Sequence, residues 1–270
     1  MSLKVVQSKM LATAVVMVMC FASLLVLCQN ASAIAIPVEQ DVVFGDLGVP
    51  RTSAAVFMYG DETIYVIGGY TNGPSDSSNQ VDTVLIYDVD TVTTSMGTKM
   101  PTGMSDSAYA KGMDGKFYIF GGYNNTLGIR TNMTQIYDPD ADSWSVGKNV
   151  STILYATSAV TGTDGRIYLF GGWGMMNVTL IYDTVSDSWI YGADLPTPRF
   201  GVRAVAVNDT AIFVIGGANA ATAASTVEVY DPVADSWSTA DSLNLNRNYA
   251  GAVLARNGYI YAISGVNGWF

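Results

Sequence analysis

Residues Ile64 to Gly69 read IYVIGG, and the phrase returns as FYIFGG at Phe117 to Gly122, IYLFGG at Ile167 to Gly172 and IFVIGG at Ile212 to Gly217. A fifth copy, IYAISG at Ile260 to Gly265, carries Ser264 in place of the first glycine. The double glycines are therefore Gly68-Gly69, Gly121-Gly122, Gly171-Gly172 and Gly216-Gly217. Downstream of each stands a Tyr-Asp pair, at Tyr87-Asp88, Tyr137-Asp138, Tyr182-Asp183 and Tyr230-Asp231. Seven positions after three of these tyrosines comes a tryptophan: Trp144, Trp189 and Trp237. In the first unit that position is Thr94. The copies recur every 45 to 53 residues, a period at which one supersecondary unit stacks on the next.

Working outward from the phrase, each unit reads as a four-stranded antiparallel meander. In the second unit Ser107 to Met113 is a first strand, Asp114-Gly115 a turn, and Lys116 to Phe120 a second strand ending at the glycine pair. Asp-Gly and Asn-Gly supply the positive backbone angles of a tight hairpin, and Asp164-Gly165 and Asn257-Gly258 repeat the device. Gly60-Asp61 and Asn208-Asp209 take its place in the first and fourth units. A polar loop follows, then a third strand into Tyr-Asp (Thr134 to Tyr137, Thr226 to Tyr230), then the Trp-bearing fourth strand. The second strands are apolar at successive positions, which requires both faces to be covered. A stack of sheets around an axis meets that requirement, so the expected class is all-β, a propeller of four complete blades and a partial fifth.

Glycine pair, Tyr-Asp and Trp at this spacing resemble the kelch-repeat family of β-propellers, over about residues 42 to 270. The resemblance implies that first strands line a central channel and that loops at one end form the binding face. It also implies that the ring joins its termini, with Val42 to Phe44 as an outer strand of the closing blade. One further strand is then wanting, so the ring is incomplete, open, or paired through its edge with another chain. The expected organisation is a targeting segment at 1–33, an N-terminal segment at 34–50 and the repeat domain at 51–270.

Lys4 and Lys9 precede an uncharged apolar run from Met10 to Cys28, and Ala31-Ser32-Ala33 follows as a small-residue cleavage site. This reads as a secretory signal peptide; an uncleaved membrane anchor is the rival reading. Both place the mature domain outside the cytoplasm, secreted or on the cell surface, with no membrane insertion of its own. Both cysteines, Cys20 and Cys28, lie in the segment, leaving none for disulfides, zinc or nucleophilic catalysis. Losing Lys4 and Lys9 takes the formal charge from −10 to −12, which repels nucleic-acid phosphates. With an apolar fraction of 49% and a charged fraction of 13%, the chain lies well outside the disordered class. Asn124, Asn132, Asn149, Asn177 and Asn208 begin Asn-X-Ser/Thr triplets, either used glycosylation acceptors or products of a composition rich in Asn, Ser and Thr.

The chain has no histidine, which excludes imidazole acid–base chemistry and imidazole metal ligands. Copper oxidases on kelch-like scaffolds need histidine and a cysteine-linked tyrosine, and neither is available. No catalytic residue, cofactor or metal is expected. Asp138, Asp140 and Asp142 have an oxygen-rich spacing, but Asp-Pro and Asp-Ser-Trp are turn sequence. The candidate binding residues are arginines beside first strands and aromatics directly after glycine pairs. Arg203 is expected to face the channel, whereas Arg51, Arg199 and Arg247 read either as carboxylate binders or as structural parts of the family's connection. Tyr70, Tyr123 and Trp173 read either as rim aromatics or as lids on the blade ends. The function expected is a non-catalytic module recognising a glycan or a surface protein through blade-end loops. The alternatives are a sugar isomerase resembling the exported kelch enzymes that act on sialic acid, and a structural surface-layer component that associates through its open edge.

Overall fold

The computed structural model describes residues 51–71, 81–124, 126–174, 176–219 and 222–267. The proposed targeting segment and the closing strand at Val42 to Phe44 lie outside the described residues. Within them the chain is all-β. The first blade is β1 (Ala55–Tyr59), β2 (Thr63–Ile67), β3 (Val84–Asp88) and β4 (Thr93–Gly97). The second is β5 (Ala108–Lys111), β6 (Phe117–Asn124), β7 (Ile129–Asp138) and β8 (Ser143–Gly147). The third is β9 (Ser158–Thr161), β10 (Ile167–Phe170), β11 (Thr179–Asp183) and β12 (Ser188–Tyr191). The fourth is β13 (Arg203–Asn208), β14 (Ala211–Ile215), β15 (Val227–Asp231) and β16 (Ser236–Thr239). A half blade, β17 (Gly251–Leu254) and β18 (Ile260–Ile263), follows. Each full blade is an antiparallel meander in chain order, and the first strands β1, β5, β9, β13 and β17 neighbour one another in succession.

One boundary differs from the sequence reading. In the second blade the strand does not stop at Gly121-Gly122 but runs through the pair, with a register shift between Phe120 and Gly122. The loop to β7 is short there, so the two strands extend as one long hairpin, and Arg130 pairs with Tyr123 in the ladder.

Apolar faces meet between blades. Phe57, Tyr65 and Ile67 of the first blade pack on Phe117, Ile119 and Tyr137 of the second, and Phe57 stacks on Phe117 with ring centres 4.2 Å apart. All four residues of β10 are fully buried, the two-sided covering that the unbroken apolar runs require. Each such side chain contributes roughly 1.5–3 kcal/mol.

The first glycine of each pair is required by close approach. A Cβ on Gly171 would lie 2.2 Å from the Arg199 carbonyl of the next blade, and one on Gly121 2.4 Å from that of Leu154. Both glycines also have positive φ, 63° and 60°. Ser264 takes the same angle, 60°, but is exposed. Among the described residues no following blade reaches it, and its side chain is accommodated.

Three seams share one latch. Tyr137 donates its hydroxyl to Asp142 at 2.5 Å, Tyr182 to Asp187 at 2.6 Å and Tyr230 to Asp235 at 2.6 Å. The same carboxylates accept the backbone N–H of Thr98, Lys148 and Ala193 in the preceding blade, each at 2.6 Å. Trp144, Trp189 and Trp237 donate Nε1–H to the carbonyls of those same three residues. In the first blade the corresponding positions after Tyr87 are Val92 and Thr94, which lack the carboxylate and the indole.

The carboxylates of the Asp138 run go to separate partners. Asp138 accepts the N–H groups of Asp140 and Ala141 and pairs with Lys116. Asp140 accepts the Tyr59 hydroxyl, and Asp142 belongs to the latch.

Candidate functional site at one end of the axis

Two residues before each first strand begins its approach to the axis, the backbone takes a left-handed turn. Ser53, Asp106, Ala156, Gly201 and Tyr249 have φ of 53°, 51°, 53°, 62° and 53°. They are strung together blade to blade: Asp106 N–H donates to Ser53 O, Ala156 to Asp106, Gly201 to Ala156 and Tyr249 to Gly201, at 2.9–3.3 Å. Four of the five are not glycine, a conformation that costs each of them about 1 kcal/mol or more. The surrounding hydrogen bonds hold it.

Around this string runs an arc of aromatic rings. Tyr123 and Tyr155 have centres 6.2 Å apart, Tyr155 and Trp173 6.1 Å, Trp173 and Phe200 4.9 Å, and Phe200 and Tyr249 6.2 Å. Tyr155, Phe200 and Tyr249 come from the connections into first strands, whereas Tyr123 and Trp173 directly follow glycine pairs. The two sets meet because Tyr123 N–H donates to Ser105 O and Trp173 N–H to Tyr155 O. Trp173 is 40% exposed. Arg130, exposed on the β6–β7 hairpin, lies over the Tyr155 ring at 4.9 Å and the Trp173 ring at 5.5 Å.

Asp106 is the acid of this end. Burial raises its carboxyl above the ordinary carboxylate value, and hydrogen bonds with Ser53 and Ser105 pull it part of the way back. Burial first, then the Asp106 charge, raises the Tyr155 phenol. Tyr249 is pushed up to about 12 by burial and then Asp106, with Arg203 acting the other way. Both phenols therefore stay protonated donors at neutral pH.

The seven residues singled out from sequence do not share one surface. Tyr123 and Trp173 stand in the arc, and Arg203 lies beside Tyr249 with Nε donating to Ala250 O at 2.8 Å across the seam. Tyr70 is within electrostatic reach of Tyr155 but almost wholly buried. Arg199 is fully buried: it pairs with Glu228 at 2.5 Å and donates to the carbonyls of Gly216 and Val214. Desolvation lowers its pKa more than Glu228 restores it. Arg247 donates to Ser264 O, and Arg51 to Thr83, its Nε and Nη1 being buried without a hydrogen-bond partner among the described residues. The last three thus serve the connections between strands. Of the sequon asparagines, Asn149 and Asn208 are exposed, Asn132 and Asn177 half-buried and Asn124 buried.

Sequence reasoning passed over Asp106, Arg130, Tyr155, Phe200 and Tyr249. A positional signal was present: Ser53, Asp106, Ala156, Gly201 and Tyr249 each stand fifteen positions before the first glycine position (Gly68, Gly121, Gly171, Gly216, Ser264) of their own blade. At that position the repeats carry Ser, Asp, Ala, Gly and Tyr, which share no side-chain chemistry. Among the described residues no cluster of acids could hold a metal ion, and no helix is long and apolar enough to cross a membrane.

Comparison with known proteins bears on this architecture. The structure titled "Structure of YjhT" superposes with a TM-score of 0.67 at 15% identity, over 81% of this chain and 78% of that one. At that identity the likeness concerns the fold. A search of curated proteins finds no match. The family model described as the KLHDC2/KLHL20/DRC7 Kelch-repeats domain matches residues 111–269, more than half of the chain. With its glycine pairs, meander blades and successive first strands, the chain belongs to the kelch-repeat family of β-propellers.

Proposed function

We propose that the chain is a non-catalytic binding module, secreted or held at the cell surface, that takes a protein or a glycan on the aromatic end of its axis. The arc of Tyr123, Tyr155, Trp173, Phe200 and Tyr249 carries this reading. Aromatic side chains on loops fixed by a rigid scaffold are a common form of binding surface. The apolar run before Ala31-Ser32-Ala33 supports export. Glycan arrays and capture of surface proteins, run on the full chain, test the reading. Trp173→Ala and Tyr123→Ala are expected to weaken capture about tenfold or more, since stacked aromatic anchors carry much of such binding. Capture unchanged by both substitutions overturns it.

A second reading is the sugar isomerase. Asp106 carries a raised carboxyl beside two protonated phenols, a pairing able to give and take protons at a sugar ring. Faster equilibration of sialic acid anomers by the full chain, abolished in Asp106→Asn, would favour it. Self-association is a third matter. The β18 edge exposes Tyr259, Tyr261 and Ile263, and a strictly monomeric solution mass rules out assembly through it.

A further inference from the structure

The aromatic end already holds a cation. The guanidinium of Arg130 lies over two of its rings, Tyr155 and Trp173, where the negative face of an aromatic ring attracts positive charge. Asp106 stands beside Tyr155, its carbonyl accepting the N–H of the adjacent Ala156 at 3.3 Å, and among the described residues no lysine or arginine forms a salt bridge with it. The side chains of Ser53 and Ser105 hydrogen-bond to it. Aromatic faces next to a carboxylate select an organic cation over a neutral or acidic group. The formal charge of −10 draws cations toward the surface as a whole. Of the arginines considered for gripping a carboxylate ligand, Arg199 is buried against Glu228, and Arg203 donates Nε–H to Ala250 O.

We propose that this seat receives a guanidinium or ammonium side chain from a protein partner, with Tyr155 and Trp173 as ring faces and Asp106 as counter-charge. Arg130 is the resident group that the incoming side chain displaces. The inference rests on the binding reading above and narrows its occupant.

The probe is N-acetyl-arginine amide, with N-acetyl-citrulline amide as a neutral analogue of the same shape. Binding to the full chain is followed by calorimetry and by the fluorescence of its tryptophans. The arginine amide is expected to bind about tenfold more tightly than the citrulline amide, the scale of one partly desolvated cation–π contact. Arg130→Ala is expected to tighten it severalfold by removing the competitor, whereas Asp106→Asn weakens it about tenfold. Asparagine tolerates the left-handed backbone of position 106, and a melting curve checks that the variant folds. If it does not, the citrulline comparison and Arg130→Ala decide between them. Equal affinity for the two amides, or weaker arginine binding in Arg130→Ala, overturns the proposal. If a protein or glycan is captured through Trp173 while the two amides rank alike, the cation seat falls and the binding module stands. If Trp173→Ala and Tyr123→Ala both leave capture untouched, both fall.

Discussion

Arg199 and Glu228 show one pair of positions filled by different chemistry in neighbouring blades. In the third blade the corresponding residues are Leu154 and Leu180, both fully buried in one apolar cluster. In the fourth they are a buried ion pair. Removing one partner leaves an uncompensated charge, so Arg199→Leu alone is expected to cost ~3–5 kcal/mol. The double variant Arg199→Leu, Glu228→Leu reproduces what the neighbouring blade already does, and should return to within about 1–2 kcal/mol of the parent. Urea unfolding of the three variants measures both values. The latch carboxylates provide a pH counterpart. Asp142 and Asp235 are held below the ordinary carboxylate value, first by the tyrosine hydroxyl and then by a backbone N–H from the preceding blade. A carboxyl lowered in the folded state adds stability that is complete above its unfolded pKa and is lost as pH falls through the folded one. The stability difference between the parent and Asp142→Asn should therefore be full at about pH 6 and shrink toward pH 2. Both groups are solvent-exposed, so the difference will be small. One that grows on acidification would contradict the latch.

Among elements, the half blade differs most from the rest. β14 is paired on both sides, by β13 and β15. Among the described residues β18 pairs only with β17, and Tyr261 and Ile263 are exposed on it. Local opening follows buried apolar contact and protected backbone hydrogen bonds, so amide exchange in β17 and β18 is expected to outpace that in β13–β16 by orders of magnitude. Equal protection would mean that the β18 edge is covered in solution by another strand. The first blade presents the opposite edge of the series. Val92 and Thr94 replace the aspartate and tryptophan of the latch, and Val92 keeps the left-handed φ of 55° without the side chain that makes use of it elsewhere. On that side an apolar cluster of Ile64, Val66 and Leu85 draws all its members from the first blade itself.

For the whole molecule, charge is the property that reaches furthest. A chain of net −10 gathers cations over a distance set by salt, about 10 Å at 0.1 M. Affinity for the arginine amide should fall severalfold between about 20 mM and 500 mM sodium chloride, while the melting temperature, which rests on apolar seams, changes little. Affinity that rises with salt would mark the contact as apolar and remove the role given to Asp106. The propeller supplies the rigidity this recognition needs. Residues from the first through the fifth blade are brought to one end of the axis and held there by a backbone chain from Ser53 to Tyr249.

The period of the glycine pairs, the Tyr-Asp pairs and the tryptophans was enough to read four blades and a half, because these features are local and repeated in every unit. The departures at Thr94 and Ser264 were visible in the sequence, but their consequences for the latch and the crowding at the glycine position came from the structure. The aromatic end was legible only in part, through Tyr123, Trp173 and Arg203, for a physical reason. Asp106, Arg130, Tyr155, Trp173 and Tyr249 lie at positions where the repeats differ, and no short-range rule relates an acid in one blade to a ring in the next. Their proximity follows from closing successive sheets around an axis. The identity of each residue was set in the sequence; only the tertiary structure decided that they meet.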